Sequence, residues 1–228
     1  MIKGFRGVSL VDYPGKVCSV IYTGFCNFRC PYCYNVDLVL PERVSKLPDI
    51  SEDRVVEELG RRRGFVEAVT ITGGEPTLWG ERLVSLIRRI KRETELLVKL
   101  DTNGSNPGVV KGVLEDVDFF AVDFKTSPKR YSEVKGNFKD VEETFNVLRV
   151  APEKVEIRIT FYPPLISEKD LKEMLPYLEG FRRVALQKFV PERTLSEQKV
   201  APYPEVFYRR VEEVLREYLP EVRVVERF

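Results

Sequence analysis

The chain has 228 residues, 43% of them hydrophobic, enough for one domain with a sizeable core. Its 37 lysines and arginines nearly balance 36 aspartates and glutamates, which argues against a surface built for nucleic acid and leaves local runs such as Arg61-Arg62-Arg63 to solvent. It carries no signal peptide, transit peptide or long apolar run, so a cytoplasmic protein without a membrane segment is expected.

In chain order, Val17-Cys18-Ser19-Val20-Ile21-Tyr22 is an apolar, β-branched run that reads as a buried strand, with Cys18 in the core. Gly24 to Asn35 follows, where Cys26, Cys30 and Cys33 fall within eight residues. An irregular stretch with Pro41 and Pro48 leads to Ser51, an N-cap for a helix with Val55, Val56 and Leu59 on one face. Ala68 to Thr72 is the next strand, and Leu83, Leu86, Ile87 and Ile90 take helical spacing after it. Leu96 to Leu100 is a third strand. Asn106-Pro107 opens a helix expected to run through Val110, Val113, Leu114 and Val117, and Phe119 to Phe124 is the fourth strand.

The second half repeats the rhythm. Val141, Phe145 and Leu148 form a helix face, and Val155 to Phe161 is a strand. Ser167-x-x-Asp170 resembles a capping box ahead of Leu171, Met174, Leu175 and Leu178. Val184 to Phe189 is a sixth strand. A terminal helix carries Phe207, Val211, Val214, Leu215 and Tyr218, and Val222 to Val225 adds a short edge strand. Six βα units predict an α/β fold with a parallel sheet curled toward a barrel. The reading is a single domain over 1–228, with 203–228 as an extension.

In such a barrel the active site lies at the C-terminal strand ends. The unusual polar residues sit there: the cysteine loop, Thr72-Gly73-Gly74-Glu75-Pro76, Asp101-Thr102-Asn103-Gly104, Asp123-Phe124-Lys125, Tyr162-Pro163-Pro164 with Arg158 upstream, and Gln187-Lys188-Phe189. Each also has an ordinary structural reading. Gly73-Gly74 serves a tight turn, Asp101 an Asx-type cap, and Asp123 with Lys125 an ion pair on one strand face. On an apolar strand that last pair is costly unless satisfied, which favours a ligand or an ion.

Three thiolates this close can converge on one inorganic centre. Structural zinc wants four N or S ligands, yet the chain has no histidine and recruiting Cys18 would distort its strand. A noncatalytic zinc-binding scaffold stays open as an alternative. An iron–sulfur cluster held by three cysteines instead leaves one iron with a vacant position for an exogenous ligand.

The spacing C-x-x-x-C-x-x-C, with the aromatic Tyr32 before the last cysteine, resembles the signature of the radical S-adenosylmethionine (SAM) superfamily. The resemblance implies a partial (β/α)6 TIM-like barrel of the radical SAM type. It also implies a [4Fe-4S] cluster on Cys26, Cys30 and Cys33 that chelates SAM and cleaves it, after one-electron reduction, to methionine and a 5′-deoxyadenosyl radical. Val11-Asp12-Tyr13-Pro14-Gly15-Lys16, Cys30-Pro31-Tyr32-Cys33-Tyr34-Asn35, Gly73-Gly74-Glu75-Pro76, Asp101-Thr102-Asn103-Gly104 and Asp123-Phe124-Lys125 together resemble the glycyl-radical-enzyme activases. Within them the likeness is to anaerobic ribonucleoside-triphosphate reductase activating proteins, in the branch similar to pyruvate formate-lyase activating enzyme.

That likeness implies further roles. Tyr32 and Tyr34 would border the adenine, Gly73, Gly74 and Glu75 would hold the methionine amino end, and Lys125 its carboxylate, with Phe124, Thr126 and Gln187 also at the cofactor. Gln187 or Lys188 would replace a strand-six histidine of the pyruvate formate-lyase type. Asp101, Thr102 and Asp123, with Ala121 as a carbonyl donor, match a monovalent cation site. The implied partners are a glycyl radical enzyme, with anaerobic ribonucleotide reductase in first place, and a flavodoxin- or ferredoxin-type electron donor. A radical SAM enzyme acting on a small molecule, similar to the 7-carboxy-7-deazaguanine synthases, is the alternative within the superfamily.

Overall fold

The computed structural model describes residues 1–220 and 222–227. Among the described residues, eight strands follow one another in sequence order in the sheet: β1 (Ile2–Tyr13), β2 (Lys16–Thr23), β3 (Ala68–Gly73), β4 (Leu97–Thr102), β5 (Phe119–Asp123), β6 (Val155–Phe161), β7 (Arg183–Lys188) and β8 (Arg223–Arg227). The α/β class and the six expected strands are present, and β8 takes up the expected edge strand one residue later. The strand that sequence pattern does not predict is β1. The chain forms two compact units, one of residues 1–27, 35–102 and 106–120, the other of 28–34, 103–105 and 121–228.

In the first unit β1 pairs antiparallel with β2 around the turn Pro14-Gly15, where Gly15 takes a φ of 71° that a side chain would strain. β1 escapes pattern reading because Gly4 and Gly7 interrupt it, its register to β2 shifts three times, and Leu10 and Val11 face solvent. β2, β3 and β4 run parallel, with Cys18 opposite Ala68 and Ala68 opposite Leu97, then Val20 opposite Thr70 and Thr70 opposite Lys99. Because side chains alternate along a strand, Cys18 and Val20, Ala68 and Thr70, and Leu97, Lys99 and Asp101 share one face. Tyr13, Cys18, Val20, Ala68 and Phe119 pack into a core there. Cys18 is fully buried and its sulfur accepts from the Thr70 hydroxyl at 3.8 Å, as a core thiol should.

Helix Glu52–Arg61 begins where Ser51 accepts a hydrogen bond from the Arg54 N–H. Helix Glu81–Thr94 buries Leu83, Leu86, Ile87 and Ile90, the expected stripe. Helix Pro107–Gly112 is shorter than the spacing predicts. Gly112 is a poor helix residue, and Val113 and Val117 reach full burial from the turn that follows, so nothing requires a longer helix.

In the second unit β6, β7 and β8 run parallel, with Ile157 opposite Val184 and Val184 opposite Val224. Phe124 lies in an aromatic cluster, stacked on Phe138 at 5.8 Å and edge-on to Phe145 and Tyr177. The expected capping box opens helix Glu168–Leu178: Ser167 accepts from the Asp170 N–H while the Asp170 carboxylate accepts from the Ser167 N–H. Ser167→Ala is expected to cost about 1 kcal/mol in chemical denaturation, since it strips one of the two reciprocal caps. Helix Glu205–Tyr218 buries Phe207, Val211 and Leu215 of the expected face, while Val214 is half-buried and Tyr218 exposed.

Candidate cofactor site

In the first unit the strand-to-loop turn at the end of β3 lies directly on backbone. The Gly74 N–H donates to Thr23 O at 2.9 Å and the Glu75 N–H to Phe25 O at 2.7 Å, so the turn is laced to the start of the cysteine loop. A Cβ at Gly73 would stand 2.3 Å from Thr23 O, and one at Gly74 would stand 2.0 Å from Phe25 O. Gly73 also takes a φ of 125°. These two glycines are therefore required for close approach as well as for the turn.

The Glu75 carboxylate is buried and accepts from the Thr77 N–H at 3.0 Å, the Thr77 hydroxyl at 2.6 Å and the Thr102 hydroxyl at 2.7 Å. Its side chain ties the ends of β3 and β4 together, so the carboxylate is already occupied within the protein. Asp101 receives the ammonium of Lys99 at 2.5 Å, and Lys99 is only 1% exposed. Lys99 is missing from the sequence reading. Its signal is a lone cation in the apolar run Leu96 to Leu100, two residues from a carboxylate.

In the second unit Cys30 is buried and Cys33 half-buried, and the Cys33 N–H closes a turn onto Cys30 O at 3.0 Å. Burial pushes the Cys30 thiol up to about 11, and Lys125 partly offsets this by favouring the thiolate. Tyr32 is buried against Tyr162, with ring centroids 5.5 Å apart, and the Lys125 ammonium lies 5.9 Å from its ring centre. Burial raises the Tyr32 hydroxyl well above the ordinary phenol range. That hydroxyl stands beside the Cys30 thiol, with no conventional hydrogen-bond partner.

Asp123 binds two cations: Lys125 Nζ donates to Oδ2 at 2.8 Å and Arg158 Nε to Oδ1 at 2.7 Å. Burial by itself would raise the Asp123 carboxyl, but Arg158 and Lys125 outweigh it and hold it at about 2. Burial likewise disfavours the Lys125 ammonium, and Asp123 overcomes this, holding the lysine well above its ordinary value. The trio of one carboxylate and two cations carries a formal charge of +1, which suits an anionic group of a ligand.

The other expected residues are placed as follows. Tyr34 is exposed. The Phe124 side chain belongs to the aromatic core, and Thr126 donates its hydroxyl to Leu165 O at 2.6 Å, so both meet a ligand at most through backbone. Gln187 accepts from the Thr160 hydroxyl at 3.0 Å, while Lys188 pairs with Glu205 at 2.5 Å. Ala121 is buried in β5. Among the described residues no three His, Cys, Asp or Glu side chains are gathered as one metal ion would require.

Residues 20–178 match the profile of the radical SAM superfamily. The chain belongs to that superfamily, and its likeness within it is to the glycyl-radical-enzyme activating enzymes. A protein of Methanocaldococcus jannaschii named as a glycyl-radical enzyme activating enzyme is 30% identical over 235 residues, covering 97% of this chain and 94% of its own length. Pyruvate formate-lyase-activating enzyme of Clostridium pasteurianum is 25% identical, over 87% of this chain and 84% of its own. Among solved structures, native anSMEcpe with bound AdoMet superposes with a TM-score of 0.65 at 18% identity, over 90% of this chain and 62% of that one, and so shares the fold.

The chain's own residues fit the cofactors of that superfamily. The Lys125 ammonium and the Tyr32 hydroxyl beside Cys30 both favour the thiolate that a cluster ligand requires, against the burial that disfavours it, and the Gly73-Gly74 turn leaves no room for side chains.

Proposed function

We propose that this protein binds SAM at a [4Fe-4S] cluster held by Cys26, Cys30 and Cys33 and uses it to generate a glycyl radical on a partner enzyme, in first place an anaerobic ribonucleotide reductase. The reading is carried by the grouping of Cys30, Tyr32, Lys125, Asp123 and Arg158, a desolvated thiol beside a net positive trio. Cys26, Cys30 and Cys33 would hold the cluster, which would supply the one-electron reduction for cleaving SAM ahead of hydrogen-atom abstraction from a glycine Cα. The electron comes from a flavodoxin or ferredoxin.

The protein's residues bind and orient. Lys125, steadied by Asp123, would pair with the methionine carboxylate, and the Gly73 and Gly74 main chain with Glu75 would hold the amino end. Tyr32 and Tyr34 would border the adenine, and Gln187 and the backbone of Phe124 and Thr126 are the remaining candidates for contact with the cofactor. Hydrogen-atom abstraction needs no general base, so the absence of histidine is no obstacle.

Anaerobic reconstitution with iron and sulfide, then dithionite and SAM, is expected to yield 5′-deoxyadenosine. With a candidate partner a glycyl radical signal should appear by electron paramagnetic resonance. No 5′-deoxyadenosine would overturn the reading. Cys26→Ala, Cys30→Ala and Cys33→Ala are each expected to lose the iron–sulfur absorbance. Cys18→Ala should keep it and cost about 1 kcal/mol of stability as a small core truncation. Loss of iron from the Cys18 variant with its fold intact would reassign the ligands.

A further inference from the structure

The family resemblance gives Asp101, Thr102 and Asp123 to a monovalent cation, and the side chains present do not fit one. Asp101 already holds the Lys99 ammonium at 2.5 Å, inside the sheet face that Thr70 and Val20 continue. At 1% exposure Lys99 is out of water, and the Asp101 carboxylate is the partner it touches there. Asp123 is shared by Lys125 and Arg158. The Thr102 hydroxyl donates to Glu75. A sodium or potassium ion at either carboxylate would meet a fixed positive charge within hydrogen-bonding distance of the same group.

Resting on the SAM-binding reading above, we propose that this protein binds SAM without an exogenous monovalent ion, because Lys99 supplies that charge covalently on the strand ending in Asp101-Thr102. A metal ion must be recruited from solution at each encounter, whereas an ammonium on β4 is always in place. Lys99 is on this view a positioning residue: it holds Asp101, and through the end of β4 the loop that follows.

The test measures SAM affinity of the reconstituted protein by anaerobic equilibrium dialysis, in potassium, sodium and tetramethylammonium chloride at one ionic strength. The wild type is expected to bind equally in all three. Lys99→Met is expected to lose about tenfold in tetramethylammonium and to recover in potassium or sodium, since the vacated position then takes an ion. Lys99→Arg should stay independent of the salt.

Melting temperature of the cluster-free protein supplies a second readout, with only the methionine variant rising in potassium or sodium. A wild type that needs either ion for SAM overturns the proposal, as does a folded methionine variant that no salt restores. Should that variant not fold, the wild-type series decides alone: independence supports the proposal and dependence overturns it. Failure of the wild type to bind SAM in every salt removes the functional reading itself, a result distinct from salt-dependent binding.

Discussion

Gly73→Ala is expected to destabilise the protein by about 3–5 kcal/mol, in the extreme tail for a single methyl group. Two costs combine. The φ of 125° lies where an L-residue is strained, and the added Cβ would stand 2.3 Å from Thr23 O and 2.4 Å from Thr23 N, both of them backbone atoms of a paired strand. Neither atom can move without breaking the parallel register of β2 and β3, in which Thr23 pairs with Gly73 itself. Gly60→Ala is the control. It lies inside helix Glu52–Arg61 with nothing within 4 Å of its added methyl, and should gain up to about 1 kcal/mol. Urea denaturation of the two variants checks both signs. An alanine at 73 as stable as the wild type would mean that the turn does not lie against Thr23.

Asp123→Asn should be nearly as costly, at about 3–5 kcal/mol, because it leaves two poorly exposed cations facing each other without their shared anion. Lys125 and Arg158 are 16% and 12% exposed, so water does little to screen them. Arg158→Met in the Asp123→Asn background is expected to recover part of the loss by removing that repulsion. The pH dependence has a definite sign. The Asp123 carboxyl is held at about 2 against an ordinary 3.8, so its contribution is complete above 3.8 and disappears as pH falls through about 2. That contribution is about 2 kcal/mol, and acid titration of the wild type should show it while the asparagine variant should not. An acid limb unchanged by the substitution would contradict the ion trio.

Much of this arrangement is legible in the order of residues. The spacing of Leu83, Leu86, Ile87 and Ile90 predicts the helix that buries them, and Ser167 with Asp170 predicts a capping box that forms as expected. The cysteine spacing and the polar strand ends point to the superfamily that the whole-chain comparisons establish. β1 is not legible, because an edge strand broken by two glycines, with Leu10 and Val11 turned to solvent, lacks the alternation that marks a half-buried strand. Lys99 is passed over for a different reason. One lysine in an apolar run reads as an exception, and only its burial beside Asp101 shows it to be a partner.

Local periodicity, capping residues and motif spacing act over a few neighbouring positions, so the order of amino acids is enough to state the α/β class, the helix faces and the candidate thiolate ligands. Whether Asp123 answers to one cation or two depends on Arg158, which is 35 positions away and arrives by strand pairing. The same holds for the backbone of Thr23 and Phe25 pressed against Gly73 and Gly74, since contact between distant segments sets charge balance and clearance at each side chain.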